Sequence, residues 1–263
     1  MRRGKLSKGI LSAYSFIIYF ILYAPIIILV IFSFNKSKLN AVWQGFTLNW
    51  YSVLAGDGDV ILALQHSLTI AVISTILSTV IGTLAAVGMY KYKFKGKTVL
   101  DGLLYVPIII PEIVMGISLL VFFTQTKITL GLLTLVLAHV TFSVSYVVIV
   151  VRARMKNFDR SLEEAAMDLG ANGIQTFTKV TLPVIMPGIV AGALMAFTLS
   201  LDDVIISFFV SGAGYETLPL RIYSMVKIGV SPEINALSTV MLAITLSIAV
   251  ISELMQLKKS KKN

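Results

Sequence analysis

The sequence predicts an all-α membrane protein with six transmembrane helices and both termini in the cytoplasm. Hydrophobic residues fill 57% of the 263 positions and charged ones only 13%, mean hydropathy is +0.89, and apolar runs recur from end to end. A hydrocarbon core about 30 Å thick takes roughly 20 residues of helix at about 1.5 Å each. Lipid leaves no other open backbone with its polar groups satisfied, so the runs are read as helices.

The first span runs from about Tyr14 to Phe34 and the second from Ser67 to Met89, neither with a charge. Basic residues precede the first as in a signal peptide, but it is too long and lacks a small-residue cleavage pattern after Pro25, so a retained span is expected. The third, about Gly102 to Phe123, holds Glu112. Pro107 and Pro111 lack N–H groups and should break or kink it, exposing carbonyls beside the carboxylate. The fourth, about Ile128 to Val151, carries His139, which is expected as a hydrogen-bonded packing residue. The fifth, about Ile185 to Phe209, carries Asp202 and Asp203 late in its course, and the sixth runs from Ile234 to about Leu254.

Lys and Arg set the orientation, because they are retained on the cytoplasmic side. One set of connections holds Arg2, Arg3, Lys5, Lys8, Lys91, Lys93, Lys95, Lys97, Arg152, Arg154, Lys156, Arg160, Lys179, Lys258, Lys259, Lys261 and Lys262. The other holds only Lys36, Lys38, Lys127, Arg221 and Lys227. The net charge of +9 follows from this topology, and no nucleic-acid partner is expected. The partner of the surface is the lipid bilayer. A single domain over residues 1–263 is expected, with its main inner loop at about 152–183.

Enzymatic chemistry finds no support. There is no cysteine, hence no disulfide framework or thiolate metal site. Gly96-Lys97-Thr98 looks like the end of a phosphate-binding loop, but Lys91 stands where the first glycine belongs and no strand precedes it. No G-x-S-x-G, H-E-x-x-H or dinucleotide fingerprint occurs.

The inner loop reads as two short helices. Ser161 is placed to cap the first with Glu164 reaching back, and Gly170 to end it in a left-handed turn. Leu162, Ala165, Ala166 and Leu169 share one face. Asn172 is placed to start the second helix, and Pro183 to close it before the fifth span. Taken alone, the pattern also fits an amphipathic helix lying at the membrane interface.

A carboxylate at a span centre costs about 2.5 to 3.5 kcal/mol, so intramembrane acids usually face a water-filled path or a partner. Glu112, Asp202 and Asp203 qualify, and the hydroxyls of Thr198 and Ser200 are placed to share a hydrogen-bonding path with the aspartates. No Lys or Arg lies within any span to pair them. An acidic lining favours a cationic cargo. Adjacent helical positions point about 100° apart, so one aspartate is open to other roles: capping a helix end, pairing Arg221 or meeting a partner chain. Trp43, Phe46, Trp50 and Tyr51 form either an interfacial belt or a contact for cargo or a delivery protein, and Tyr215, Glu216, Tyr223 and Met225 are open to the same two readings.

Glu164-Ala165-Ala166, Gly170 and Val180-Thr181-Leu182-Pro183 resemble the EAA signature of the permease subunits of ABC importers, with valine for the usual isoleucine at position 180. Trp43-Gln44-Gly45-Phe46 with Trp50-Tyr51, Pro111 to Met115, Phe197 to Val204 and Leu218 to Lys227 narrow the resemblance, over nearly the whole chain, to the C-type permeases of spermidine/putrescine importers. That resemblance implies the type I importer (MetI-like) permease fold, with the spans from about Gly102 to Phe209 as its core. It implies a non-catalytic transport subunit in a bacterial cytoplasmic membrane. Its partners would be a B-type permease, two ATPase subunits carrying ATP and Mg, and an extracytoplasmic polyamine-binding protein, with no cofactor in this chain. It assigns Glu112, Ser200, Asp202, Asp203 and Trp50 to polyamine passage, where Glu112 stands for a more usual aspartate. It assigns Glu164, Ala165, Ala166, Asp168, Leu169 and Gly170 to the helix that docks on the ATPase. Related permeases move other small solutes on the same fold, and an ion-coupled secondary carrier would also use intramembrane acids but has no need of the EAA loop.

Overall fold

The computed structural model describes the backbone of residues 2–37, 42–156, 158–229 and 231–260, and side chains there except at 2–10, 13, 228, 248–249 and 251–260. The side chains of Arg2, Arg3, Lys5, Lys8, Lys258 and Lys259, and all of Lys38, Lys261 and Lys262, therefore lie outside the described residues. In order the elements are α1 (Arg2–Phe32), α2 (Asn49–Gly56), α3 (Gly58–Lys91), α4 (Lys97–Ile109), α5 (Glu112–Gln125), α6 (Leu132–Met155), α7 (Ser161–Asp168), α8 (Gly173–Thr176), a π turn (Phe177–Thr181), α9 (Leu182–Asp202), α10 (Ile205–Val210), α11 (Leu218–Ile228) and α12 (Pro232–Ser260). The all-helical expectation holds among the described residues, apart from one isolated bridge between Asn35 and Phe46.

Among the described residues four helical stretches are long and apolar enough to cross a membrane: Tyr14–Phe32, Gly58–Lys91, Leu132–Met155 and Gly173–Asp202. α4 and α5 pass the same test together but bend by 109° at the break between them. The expected third span is thus two half-helices. Ile110 is driven extended by the proline that follows it, with φ −69° and ψ 134°, and Pro111 has no N–H with which to continue the ladder. The expected fifth span is also interrupted. It stops at Asp202, turns through an extended Asp203 (φ −67°, ψ 123°) and resumes as α10. The expected sixth span falls on α12, where most side chains beyond Ser247 lie outside the described residues.

The chain gathers into two compact units, residues 1–61 with 222–263, and residues 62–221. In the first, α12 packs on α1 and α2, and residues 33–37 pair with residues 42–47 as an aromatic hairpin. Phe34 stacks on Phe46 at 5.4 Å and meets Tyr51 at 5.2 Å.

In the second unit α6 is the central post. Glycines let its neighbours approach closely, the usual device where helices pack inside lipid. A Cβ on Gly82 of α3 would come within 2.7 Å of Val147 Cγ1, and one on Gly188 of α9 within 2.7 Å of Arg154 Cβ. Val147, Val148, Val151 and Met155 fill the core between these helices. A second cluster, including Met115, Phe123, Phe142, Ile206 and Val210, joins the half-helices α5 and α10 to α6. Gly116 makes that seam possible, since a Cβ there would stand 2.6 Å from the Phe209 ring.

Candidate functional site

The two helix breaks lie beside one another and enclose a cavity of about 270 Å³ whose lining includes Pro107, Glu112, Phe142, Tyr146, Asp202 and Asp203. All three acids picked out from the sequence therefore meet at one place. Each break supplies its acid by the same logic. A helix start carries unpaired N–H groups and partial positive charge, which favour a carboxylate in the first turn; Glu112 occupies the first turn of α5. Among the described residues no Lys or Arg lines the cavity. Phe142 and Tyr146 present aromatic faces one helical turn apart on α6, a surface suited to an alkylammonium group.

Asp202 and Asp203 are not equivalent. Asp202 is exposed, whereas the Asp203 side chain is only 6% exposed and both its oxygens are occupied. Oδ1 accepts from the Ile206 N–H at 3.2 Å, and Oδ2 accepts from the Ser207 N–H and hydroxyl, each at 2.7 Å. Asp203 thus caps α10, the first of the roles left open for it, a type of bond worth about 0.5–2 kcal/mol. Arg221 pairs instead with Glu216 at 3.6 Å. Ser200 is buried against His139, with 2.7 Å between Oγ and Nδ1. Thr198 does not join it; its hydroxyl bonds back to the Leu194 carbonyl at 2.9 Å. Trp50 lies in the other unit, where its indole N–H donates to the Asn35 carbonyl at 2.7 Å and helps hold the aromatic hairpin.

The EAA segment forms α7, but its cap differs from the sequence expectation. Asp159 Oδ1, not Ser161, accepts at the helix start, from the Ser161 N–H at 2.9 Å. Those bonds to Ser161 hold the Asp159 carboxyl below its usual range, against a smaller effect of burial. An acceptor two residues earlier serves because Arg160 is already helical, at φ −67° and ψ −22°. Gly170 ends α7 as expected, at φ +89°, with Ala171 N–H donating back to Ala166 O at 3.0 Å. Asn172 starts α8 as expected, exchanging bonds with Gln175 at 2.9 and 3.0 Å. Pro183 does not close that helix. The π turn, where Leu182 N–H reaches Phe177 O, carries the chain into α9 and puts the proline in a first turn that needs no N–H.

Glu164, Ala165, Asp168, Leu169 and Gly170 are exposed and Ala166 is half-buried. Leu169 is 90% exposed and Ile174 77% exposed, an apolar tip left largely uncovered by the described residues. The root of the hairpin is tied down by Glu163, a residue sequence reasoning passed over. Its Oε1 meets Lys91 Nζ at 2.6 Å and accepts from the Thr181 hydroxyl. Burial opposes ionisation of Glu163, but the bonds from Lys91 and Thr181, with the charges of Lys91 and Arg160, outweigh it and hold the carboxyl below its usual range. Arg160 adds a second tie, lying 4.9 Å over the Tyr90 ring and donating to Tyr90 O at 3.3 Å. Arg152 and Asp101 pair α6 with α4. The sequence carries no local signal for Glu163, because its partners come from α3 and the π turn.

A family model described as "Binding-protein-dependent transport system inner membrane component" matches residues 78–258. Over 260 residues, 99% of this chain and 97% of the relative, the sequence is 48% identical to "Spermidine/putrescine transport system permease protein PotC" of Escherichia coli K12. It is 46% identical over 228 residues, 84% of this chain and 81% of the relative, to "Putrescine transport system permease protein PotI" of the same organism. Among solved structures, a chain of a bacterial ABC transporter involved in the import of the acidic polysaccharide alginate aligns over 98% of this chain and 99% of its own, with TM-score 0.75 and 18% identity.

Proposed function

The chain belongs to the family of inner-membrane components of binding-protein-dependent transport systems, and from that premise we propose that it is the C-type permease subunit of an ATP-driven importer of spermidine or putrescine. The observation that carries the cargo is the cavity at the helix breaks, where Glu112, Asp202 and Asp203 meet two aromatic side chains with no Lys or Arg lining it among the described residues. The names borne by the relatives point the same way. A structural neighbour handles an acidic polysaccharide, so the fold alone does not choose a cargo; an acidic lining would repel that one.

In this reading six helices span a bacterial cytoplasmic membrane with both termini inside. A binding protein delivers the polyamine to a path shared with a B-type permease and involving Trp50, Glu112, Ser200, Asp202 and Asp203. Of two ATPase subunits, holding ATP and Mg, one docks on the apolar tip of the hairpin around Glu164–Gly170. Closure of the ATPases pulls α7, and the pull passes to α3 through Lys91 and to α9 through the π turn. The cavity carboxylates then act as weak stations for the amines, since a tight site would trap its cargo.

The test is uptake of labelled spermidine by the complete complex in vesicles. Asp202→Asn is expected to lower uptake about tenfold, the scale of losing one charge-assisted bond, with assembly verified by co-purification. Near-normal uptake would remove Asp202 from the path.

A further inference from the structure

His139 is fully buried on α6, and its ring reaches both sides of the break between α9 and α10. Nδ1 lies 2.7 Å from the hydroxyl of Ser200, which is in α9. Nε2 lies 3.2 Å from the hydroxyl of Ser207, which is in α10, and 3.6 Å from Asp203 Oδ2. Ser200 is reached in turn by the Ser74 hydroxyl of α3 at 3.2 Å. Four helices thus meet through one line of polar atoms.

The direction of each bond follows from the acceptor at its end. Both Asp203 oxygens accept backbone N–H groups, so the one hydroxyl proton of Ser207 goes to Oδ2. The Ser207 oxygen is then left to accept from His139 Nε2–H. That fixes the tautomer and leaves Nδ1 as an acceptor, which takes the Ser200 proton, while the Ser200 oxygen faces the Ser74 hydroxyl, whose one proton is shared with the Ala71 carbonyl at 3.3 Å. Donation runs from Ser200 through His139 and Ser207 to Asp203.

We propose that His139 is a positioning residue for cargo passage: it straps α9 to α10 across their break and keeps the Asp203 oxygens in the α10 cap, so that of the two aspartates lining the cavity Asp202 is the one whose carboxylate is exposed. This rests on the reading of that cavity as the polyamine path. The main-chain helical ladder stops at Asp203, and the first N–H groups of α10 are taken by the Asp203 side chain. Side chains therefore set the angle of the break, and a flat ring with a polar atom on each edge is a rigid spacer between Ser200 and Ser207. Because the strap is made of hydrogen bonds between helices, it can open and re-form when the helices move.

The test compares His139→Leu with His139→Gln in the complete complex, reading spermidine uptake and ATP hydrolysed per spermidine carried. Leucine keeps an apolar core residue and ends both bonds; glutamine keeps one donor and one acceptor. The strap predicts uptake lowered about tenfold by Leu and recovered to within about threefold of wild type by Gln, the scale of a net hydrogen bond or two. It also predicts more ATP spent per spermidine for Leu. A packing role predicts the reverse order, because Leu is the better core residue. Should the Leu variant not assemble, Ser207→Ala decides: it removes the acceptor of Nε2, and its loss should not add to that of His139→Gln. Additive losses, or Leu equal to Gln, overturn the strap. Asp202→Asn in the same vesicles separates the two ideas. If it lowers uptake while His139→Leu does not, the strap alone fails; if wild type carries no spermidine, the cargo reading fails and the strap with it.

Discussion

In the hairpin from Asp159 to Thr181 most of the shape is local: Asp159 serves Ser161, Asn172 and Gln175 serve each other, and Gly170 turns the chain between them. The cavity is assembled differently, from acids at two separate helix breaks and aromatics on a third helix. The difference bears on how each works. An element closed by its own caps keeps its shape when pushed, which suits a handle. A cavity whose walls are the ends of broken helices changes shape when those helices move, which suits a site that must first hold a cargo and then let it go.

The largest expected effect comes from destroying the local geometry of the handle. Gly170 sits at φ +89° with open space around it, so a substitution there acts through backbone strain and not through crowding. Gly170→Val combined with Glu164→Trp is expected to bring spermidine uptake to background and to end co-purification of the ATPase. A left-handed β-branched residue costs at least roughly 1–2 kcal/mol, and the tryptophan fills the docking face. Gly170→Asn, which tolerates that conformation, should retain most of both. Intact transport and association in the bulky double variant would sink the docking claim.

The same contrast explains what could be read from the sequence. Gly170, Asn172 and the Ala165–Ala166 pair were legible because their roles depend on neighbours within one or two turns. Pro107 and Pro111 announced a break, though not its 109° angle, which packing of α5 on α10 decides. The break at Asp203 was hidden, because nothing in Leu201-Asp202-Asp203-Val204 forbids a helix. It is held open by Ser207 and His139, and the pairing of His139 with a residue of another helix has no local signature. The absence of Lys and Arg from the spans suggested unpaired acids; the partner of Asp203 is a histidine and a serine. Glu163 was passed over for a related reason, since its ties to Lys91 and Thr181 are visible only once α3, α7 and the π turn are side by side.

Those ties are where the local handle joins the rest of the unit, and a charge swap sharpens the comparison there. Lys91→Glu and Glu163→Lys should each lower spermidine uptake about three- to fivefold by placing like charges at the root of α7, and the double swap should recover most of the loss, as expected for a pair whose coupling is on the order of 1 kcal/mol. ATP hydrolysis measured beside uptake locates the fault. A loosened root predicts hydrolysis falling less than transport, so that more ATP is used per spermidine. If the double swap is as poor as the singles, the pair is not what transmits the pull to α3.

The smallest effect expected is that of pH on the root, and its sign follows from the direction in which Glu163 is shifted. Lys91, Thr181 and Arg160 outweigh burial and hold its carboxyl below the usual value. A group whose pKa is lower in the folded state adds stability at all pH values above its unfolded pKa, about 4.3 for glutamate, and loses it as pH falls through the lower folded value. Amide exchange protection of α7, corrected for the intrinsic pH dependence of exchange, should thus be flat from about pH 8 to pH 5 and fall only below about pH 4. Asp159, shifted the same way by its bonds to Ser161, keeps the cap in the same window. Glu163→Gln should lower the protection at neutral pH and flatten its fall in acid. Protection that instead rises as pH falls from 7 to 5 in wild type, but not in Glu163→Gln, would mean that the carboxyl is held high, with burial winning over Lys91, and the handle would then be anchored by Arg160 on Tyr90 instead.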